Sequence, residues 1–391
     1  MKEVTFSIQI CVIISIMNVK KISFYDNFIC SAGKCSDTCC KGWIIPLDDD
    51  AIALYHAQKG MLLLRLILAE KVQNDTICFN KNSKTCPFFT KDNLCYLQKE
   101  HGEEFLCATC REYPRLLYNY KYFSKKCLDL SCPEVVKLFL SNIDNLYYED
   151  SDELINYEIT VTNDDEKYLR SLFQLEQSFI SHINNKSLSL EIIFRDLCDY
   201  AKKLQDEYIN NPDTDILNRS FYFVSDKGIA FDSVTTDRIL HTKFYHSKLK
   251  STDPELYRLC KLYHKKFNKL AISEADKIIG SLETEIKKVY PEIDILLRNY
   301  SIYFIMCTFM SIYEDYSFLK HTSLALIHTH MLKLFIYLHI DNKKSISEDD
   351  LIKIITAYER RAKHNSQIFS EMYDEIYEIL CSTTDSKNPK S

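Results

Sequence analysis

The segment CSAGKCSDTCCKGW occupies residues 30–43 and places four cysteines close together. Seven more cysteines follow by residue 132, so eleven of the chain's 16 cysteines lie in its first third. Cysteines concentrate in this way in disulfide frameworks and in metal or cluster sites. The choice between these two interpretations decides most of what the sequence says about fold and function.

Metal or cluster ligation is the favoured interpretation. We expect a cytoplasmic protein, and in a reducing cytosol clustered cysteines are metal ligands or catalytic groups more often than disulfide partners. Soft thiolates select zinc or iron–sulfur clusters. Only Cys107-x2-Cys110 has the spacing of a zinc knuckle, and the irregular spacing of the others favours a cluster pocket built from several loops. The remaining alternative is buried thiols that pack as small apolar groups.

The composition argues against several classes of protein. The 391 residues are 46% hydrophobic, which predicts a globular fold. Acidic residues outnumber basic ones, 55 to 49, so nucleic acid is not an expected partner. The six glycines stand apart, and no glycine-rich nucleotide-binding loop can be written. Gly42 stands where the common radical S-adenosylmethionine motif would need a cysteine after Cys35-x3-Cys39.

The N-terminal stretch from Ile8 to Met17 is apolar but shorter than the ~20 residues that span a bilayer. Three interpretations remain open for it. Met17 is the true start and 1–16 is mis-annotated, or the stretch is the core of a signal peptide, or it is a short peripheral helix. No other stretch is long and apolar enough for a membrane helix, so we expect no stable membrane insertion.

The expected fold is mainly α, with a cysteine-rich metal- or cluster-binding N-terminal region of loops and short strands leading into an α-helical domain. We divide the chain into an extension at 1–16, the cysteine-rich region at 17–150, the helical domain at 151–381 and a polar tail at 382–391. A helix is predicted over 48–73, begun by Asp48. Periodicity of 3.6 residues predicts further helices over 165–184, 188–209, 253–287, 290–316, 321–340, 347–363 and 365–381.

Four blocks, in a fixed order, resemble the flagellin lysine N-methylases. They are CSAGKCSDTCCKGW, then CPFFTKDNLCYLQ at 86–98, TCREYPR at 109–115 and LSCPE at 130–134. Near the end, ILLRNYSIYFIMCTF at 295–309 and AYERRAKHNS at 357–366 resemble C-terminal helices of that family. The resemblance extends from Tyr25 to His364, which is nearly the whole chain.

The resemblance implies methyl transfer from S-adenosylmethionine to lysine side chains of flagellin, with flagellin as the partner. It also implies a cysteine-bound [4Fe–4S] cluster, with zinc as the alternative metal. The cysteines that match the family's recurrent positions, and that we expect to be ligands, are Cys30, Cys35, Cys39, Cys40, Cys86, Cys95, Cys110 and Cys132. Three others have no counterpart there, namely Cys78, Cys107 and Cys127.

Candidate residues for the reaction are fewer. An aromatic cage can hold a sulfonium or an ammonium group by cation–π contact, and Tyr113, three residues after Cys110, is our candidate for its wall. Core packing beside the metal is the alternative role for Tyr113. We group Arg115 with Tyr113 as catalytic and expect Arg111, Arg360 and His364 to bind the cofactor. The alternative for Arg111 and Arg115 is that they offset the charge of a cluster. The alternative for Arg360 and His364 is that they make a structural contact.

Two other functions fit the same residues. One is a zinc- or cluster-binding module without catalysis, and the other is an iron–sulfur redox protein. The lack of a glycine-rich donor loop counts against a methyltransferase, because most of these enzymes use one. The oligomeric state does not follow from the sequence.

Overall fold

The computed structural model describes residues 12–42, 44–73, 75–79, 85–120, 122–158, 165–211, 217, 253–267 and 269–362. His364 and the helix predicted at 365–381 lie outside these residues.

The strands form two sheets. A three-stranded sheet has the order β2–β4–β3, with β2 at Ile45–Pro46, β3 at Lys71–Gln73 and β4 at Thr76–Phe79. A four-stranded sheet has the order β5–β6–β1–β7, with β1 at Val12–Ile22, β5 at Arg115–Tyr120, β6 at Phe123–Leu128 and β7 at Tyr148–Glu158.

Strand β1 lies inside the larger sheet. It pairs in parallel with β6 and antiparallel with β7, whose Tyr148 faces Ile22. Met17 and Val19 point to one buried side, as the two-residue period of a strand requires. The expectation of short strands is therefore correct only in part, because β1 and β7 are 11 residues long. The boundaries placed after residues 16 and 150 both fall within strands of this sheet.

Short helices connect the strands of the cysteine-rich region. The helix predicted over 48–73 is wrong in its extent. The helix is interrupted before Gly60, which has a φ of +62°, and the chain continues as strand β3 from Lys71. A positive φ of this kind is easily adopted only by glycine. The helices here are α1 (Asp49–His56), α2 (Gly60–Ala69), α3 (Tyr96–His101), α4 (Ala108–Glu112) and α5 (Pro133–Ser141).

The C-terminal part is helical, as predicted. Its helices are α6 (Asp165–Ile183), α7 (Leu190–Asn210), α8 (Pro254–Phe267), α9 (Ile272–Val289), α10 (Ile293–Thr308), α11 (Ile312–Asp315), α12 (Phe318–Lys343) and α13 (Glu348–Ala362). The single helix predicted over 253–287 is wrong, because a new helix starts after Ala271, whose N–H donates to Glu274 at 3.0 Å. The helix predicted over 290–316 is likewise divided, into α10, a 3₁₀ turn at Phe309–Ser311 and α11.

The described residues form two large hydrophobic cores and a small cluster of Met17 and Val19. The larger core runs from Ile22 to Tyr358 and contains side chains from the four-stranded sheet, α5 and the C-terminal helices. The smaller core lies within the cysteine-rich region, between Ile45 and Cys107, and is built around large side chains such as Tyr55 and Phe79. The part of the cysteine-rich region that lies in sequence between strands β1 and β5 thus packs around a core of its own.

Two segments, Ile293–Asp315 and Phe318–Lys343, are long and apolar enough to cross a membrane by length and composition. The sequence expectation that no stretch outside the N-terminus has this property is therefore wrong. Most of both segments is buried inside the protein. Helix α12 is apolar on all sides because α7, α8, α9, α10 and α13 surround it.

A buried ion pair joins the large sheet to the helices. Lys125 in β6 contacts Glu176 in α6 at 2.6 Å, and their side chains are 1% and 0% exposed. The Tyr148 hydroxyl lies 2.9 Å from Glu176 Oε1 and 2.9 Å from the Met306 carbonyl oxygen. Burial raises the pKa of Glu176 even though Lys125 and Tyr148 favour the carboxylate. The pair therefore loses more through desolvation than its mutual attraction recovers.

Removing one partner of this pair should be more harmful than removing both. Glu176→Ala leaves an unpaired buried ammonium and should lower the free energy of unfolding by about 3–5 kcal/mol. The double variant Lys125→Met with Glu176→Leu should lose much less. Asp206→Ala, which breaks an exposed pair with Lys202, is the control and should cost less than about 1 kcal/mol. Urea unfolding measures all three, and equal losses in the single and double variants would contradict this account.

Candidate functional site

Six cysteines line one cavity in the cysteine-rich region. The cavity has a volume of about 120 Å³. A single buried water needs only about 10–15 Å³ on the same measure, so the cavity is several times larger than the space that one water requires. Apolar side chains such as Ile44, Ile45 and Leu106 form much of the remaining wall. The six cysteines are Cys39, Cys40, Cys86, Cys95, Cys107 and Cys110; we call them the wall cysteines.

Backbone hydrogen bonds bring three of these wall cysteines together. The Cys86 N–H donates to the Cys40 carbonyl oxygen at 2.8 Å, and Lys41 and Thr85 form a β-bridge beside it. The loop after Cys86 then reverses, because Phe89 bridges to Cys95. Cys40, Cys86 and Cys95 therefore face one space although more than forty residues separate the first from the second.

Asp48 places the other side of the wall. Its Oδ1 accepts from the Ala51 N–H at 2.9 Å, and its Oδ2 accepts from the Ala108 N–H at 2.7 Å. One carboxylate thus caps both α1 and α4, and α4 carries Cys110 one turn after its N-cap residue Cys107. Burial opposes ionisation of Asp48, but these two N–H donors outweigh it and lower its pKa.

The wall contains two pairs of interacting thiols. A hydrogen bond from Cys39 lowers the pKa of Cys40 to about 7, with help from Thr38 and Lys41, and raises the pKa of Cys39. In the same way, a hydrogen bond with Cys110 lowers the pKa of Cys107 and raises that of Cys110. Each pair therefore favours one thiolate, the form of cysteine that binds metals.

Three more predicted ligands form a second group beside the wall. Burial, with smaller contributions from the thiols of Cys35 and Cys30, raises the pKa of Cys132 to about 11. Cys39 interacts electrostatically with Cys30 and Cys132 as well as with Cys40. This wall cysteine therefore links the wall to the second group, which we define as Cys30, Cys35 and Cys132.

Five of the eight predicted ligands thus line the cavity, and three lie in the second group. Cys107, which the family pattern leaves out, also lines the cavity, and its C-x2-C spacing with Cys110 was the signal for this. Cys78 and Cys127 are buried and do not line the cavity. Cys127 belongs to the larger core, and its thiol lies 3.7 Å from the Met306 carbonyl oxygen. The ligand roles themselves stay predictions.

The thiols of the wall are donors of the type that zinc and iron–sulfur clusters both select. Within the described part of the chain, no three His, Cys, Asp or Glu side chains converge closely enough to hold one metal ion. Six thiols around about 120 Å³ therefore fit a cluster by donor type and by space.

Tyr113 also lines the cavity. Its hydroxyl is 3.1 Å from the Ser131 hydroxyl, and burial raises its pKa well above the ordinary value. The phenol therefore stays protonated at neutral pH, so it can serve as an aromatic wall or hydrogen-bond donor but not as a general base.

The predicted arginines lie elsewhere. Arg111 is 44% exposed beside Glu112, and the Arg115 guanidinium lies 5.1 Å from the centre of the Phe28 ring. Neither lines the cavity. Arg360 contacts Asp37 and Ser131, which flank cysteines of the second group.

A thiol-lined cavity within a helical protein defines a cysteine-rich protein with a candidate metal or cluster site. Residues 135–386 match the family model of the FliB lysine N-methylase C-terminal domain. This match covers more than half of the chain, and the chain belongs to that family. It begins in α5, after all eleven clustered cysteines, so it includes most of the larger core and none of the residues that line the cavity.

Similar proteins extend this result. The chain is 30% identical to the flagellar biosynthetic protein FliU of Salmonella muenchen over 175 residues, which are 42% of this chain and 95% of that protein. It is 32% identical to lysine-N-methylases of Salmonella choleraesuis and Salmonella typhimurium over 140 residues, which are 33% of this chain. The match spans 34% of the length of each of these two methylases. No solved structure matches the chain.

The double cap at Asp48 can be tested by stability. Asp48→Ala removes both caps and should lower the free energy of unfolding by about 1–4 kcal/mol, because one cap contributes about 0.5–2 kcal/mol. Asp48→Asn keeps one acceptor oxygen and should lose about half as much. Asp49→Ala, at an exposed neighbouring position, is the control.

The pH dependence of the same variants follows from the lowered pKa. The stabilisation by Asp48 is present above its ordinary pKa of 3.8 and is lost as the pH falls through the lowered pKa of the folded state. The gap between wild type and Asp48→Asn in urea unfolding should therefore be widest near neutral pH and shrink in acid. A gap that stays constant in acid would contradict the role of the charge.

Proposed function

We propose that this chain is a protein-lysine methyltransferase that transfers methyl groups from S-adenosylmethionine to lysine side chains of flagellin. We further propose that its wall cysteines hold an iron–sulfur cluster of the [4Fe–4S] type. The observation that carries both proposals is that six thiols surround one cavity in a member of the lysine N-methylase family. The similarity to a flagellar biosynthetic protein supports flagellin as the substrate.

The reaction forms a carbon–nitrogen bond at the lysine and breaks a carbon–sulfur bond of the donor. S-adenosylmethionine supplies the methyl group on a sulfonium and leaves as a neutral thioether. The lysine amine, with an ordinary pKa of about 10.4, must lose a proton before it can attack. An apolar environment around the amine would favour its neutral form, because desolvation disfavours the ammonium.

The proposed role of Tyr113 is to present its ring to the cationic groups. Its hydrogen bond with Ser131 fixes the ring at the cavity. Aromatic rings attract sulfonium and ammonium groups by cation–π contact, which is stronger when water is excluded. Arg111 and Arg115, which do not line the cavity, fit a charge-balancing role better than donor binding.

The cluster ligands would come from the wall cysteines, with Cys39 as the link to the second group. Cys40 and Cys107 are the thiols with the lowered pKa, so they enter most readily as thiolates. Ligation of this kind needs reduced thiols, and the cysteines that the structure describes are all free. A cytoplasmic location accords with that need.

Metal content and methyl transfer test the two proposals together. Cys40→Ser, purified and reconstituted without oxygen, should bind iron more than about tenfold less tightly, since even an outer-shell change typically costs 10–100-fold. Cys78→Ser, a buried cysteine away from the cavity, is the matched control and should keep its iron. Iron and sulfide assays, with labelled S-adenosylmethionine and flagellin, provide the measurements.

The possible outcomes separate the two proposals. Zinc without iron, together with label on flagellin lysines, would retain the enzyme and reject the cluster. No label on lysine from wild-type protein that holds its cluster would reject the methyltransferase. Equal iron in Cys40→Ser and Cys78→Ser would reject the wall cysteines as ligands.

A further inference from the structure

We propose that Arg360, at the end of the last described helix, is a positioning residue for the second thiol group. Its guanidinium holds the Cys35–Cys39 loop and the segment before Cys132 at a fixed distance from each other. This inference rests on the proposed metal centre, and it assigns a residue of the helical part to the assembly of that centre.

The contacts of Arg360 reach two distant parts of the chain. Its Nη1 lies 2.7 Å from Asp37 Oδ2, and its Nη2 donates to the Asp37 carbonyl oxygen at 2.7 Å. Its Nε donates to the Ser131 carbonyl oxygen at 2.9 Å. Asp37 lies midway between Cys35 and Cys39, and Ser131 directly precedes Cys132. One side chain therefore spans both segments that carry the thiols.

The shape of the guanidinium explains why the residue is arginine. Three donors in one plane reach three acceptors in two directions, which a lysine ammonium cannot reproduce with the same geometry. The Arg360 side chain is only 9% exposed, whereas that of Asp37 is 51% exposed. The exposed end of an ion pair adds little, so we infer that the two bonds to backbone carbonyls do most of the positioning.

Charges around Arg360 balance within this small region. Asp253 interacts with Arg360, Arg361 and Asp37. Arg361 reaches toward Gly42, whose added Cβ would lie 3.8 Å from the Arg361 Nη2. The end of α13 thus rests against the cysteine-rich loop at two places, and the positive charges of the two arginines face two carboxylates.

Ser131 also contacts a residue of the cavity wall. The Ser131 hydroxyl donates to Asp129 Oδ1 at 2.6 Å, and its N–H donates to the same oxygen at 2.9 Å. The Tyr113 hydroxyl is 3.1 Å from the Ser131 hydroxyl. Arg360 is thereby linked through Ser131 to a side chain of the cavity wall. At least three of its five N–H groups contact acceptors within the protein, so we assign it to positioning rather than to donor binding.

Cysteine labelling in reduced, metal-free protein tests this role directly. Each thiol's rate of alkylation is measured by mass spectrometry in wild type, Arg360→Gln and Arg360→Lys, with Lys353→Gln at an exposed position of the same helix as the control. In Arg360→Gln, labelling of the half-buried Cys35 and the buried Cys132 should become about tenfold faster, the effect of losing hydrogen bonds to a charged group. Cys78 and Cys198, which are buried and lie outside both segments that Arg360 contacts, should keep their rates.

Three results would overturn the proposal. Equal acceleration at Cys78 and Cys198 would show general destabilisation rather than local positioning. Unchanged rates at Cys35 and Cys132 would show that the Arg360 guanidinium does not hold the segments that carry them. Full protection in Arg360→Lys would show that charge alone suffices. Because labelling needs neither bound metal nor methyl transfer, these results are independent of whether the methyltransferase proposal succeeds.

Discussion

The buried pair of Lys125 and Glu176 is the contact on which the arrangement of the molecule depends. A buried ion pair contributes little net stability, but removal of either partner leaves an uncompensated buried charge. Here it fixes strand β6 against helix α6, and β6 is paired on both sides by other strands. Because the chain leaves β6 directly into Asp129, Ser131 and Cys132, the place of the second thiol group follows from this contact. The larger core supplies the stability that the pair itself lacks.

Local sequence patterns predicted the helices and missed the large sheet. In helices α6, α7 and α13 apolar residues recur every 3.6 residues, a signal that a short stretch of sequence is enough to reveal. Strand β1 carries no such signal, because its partners β6 and β7 lie more than a hundred residues away. The division between α1 and α2 depends on a positive φ at Gly60, which periodicity does not reveal.

Part of the cysteine site could be predicted from the sequence, and part of it follows only from the structure. Family resemblance selected eight cysteines, and the fold brings five of them to one cavity and three to a neighbouring group. It also adds Cys107, because Asp48 caps the helix that Cys107 begins. No sequence pattern showed that Arg360 would reach Asp37 and Ser131. That contact depends on α13 packing against α5, which only the three-dimensional fold determines.

The position of Arg360 in the chain has a consequence for the order in which the molecule is made. Ser131 and Arg360 are 229 residues apart, so at 5–20 residues per second roughly 10–50 s of synthesis separate them. Throughout that interval the ribosome has already delivered Cys35, Cys39 and Cys132 without the side chain that spans them. The backbone contacts and the Asp48 caps that bring the wall cysteines together lie within about seventy residues, between Cys40 and Ala108, and are all synthesised before Arg360. The nascent protein can therefore close its cavity wall first and fasten the second thiol group last.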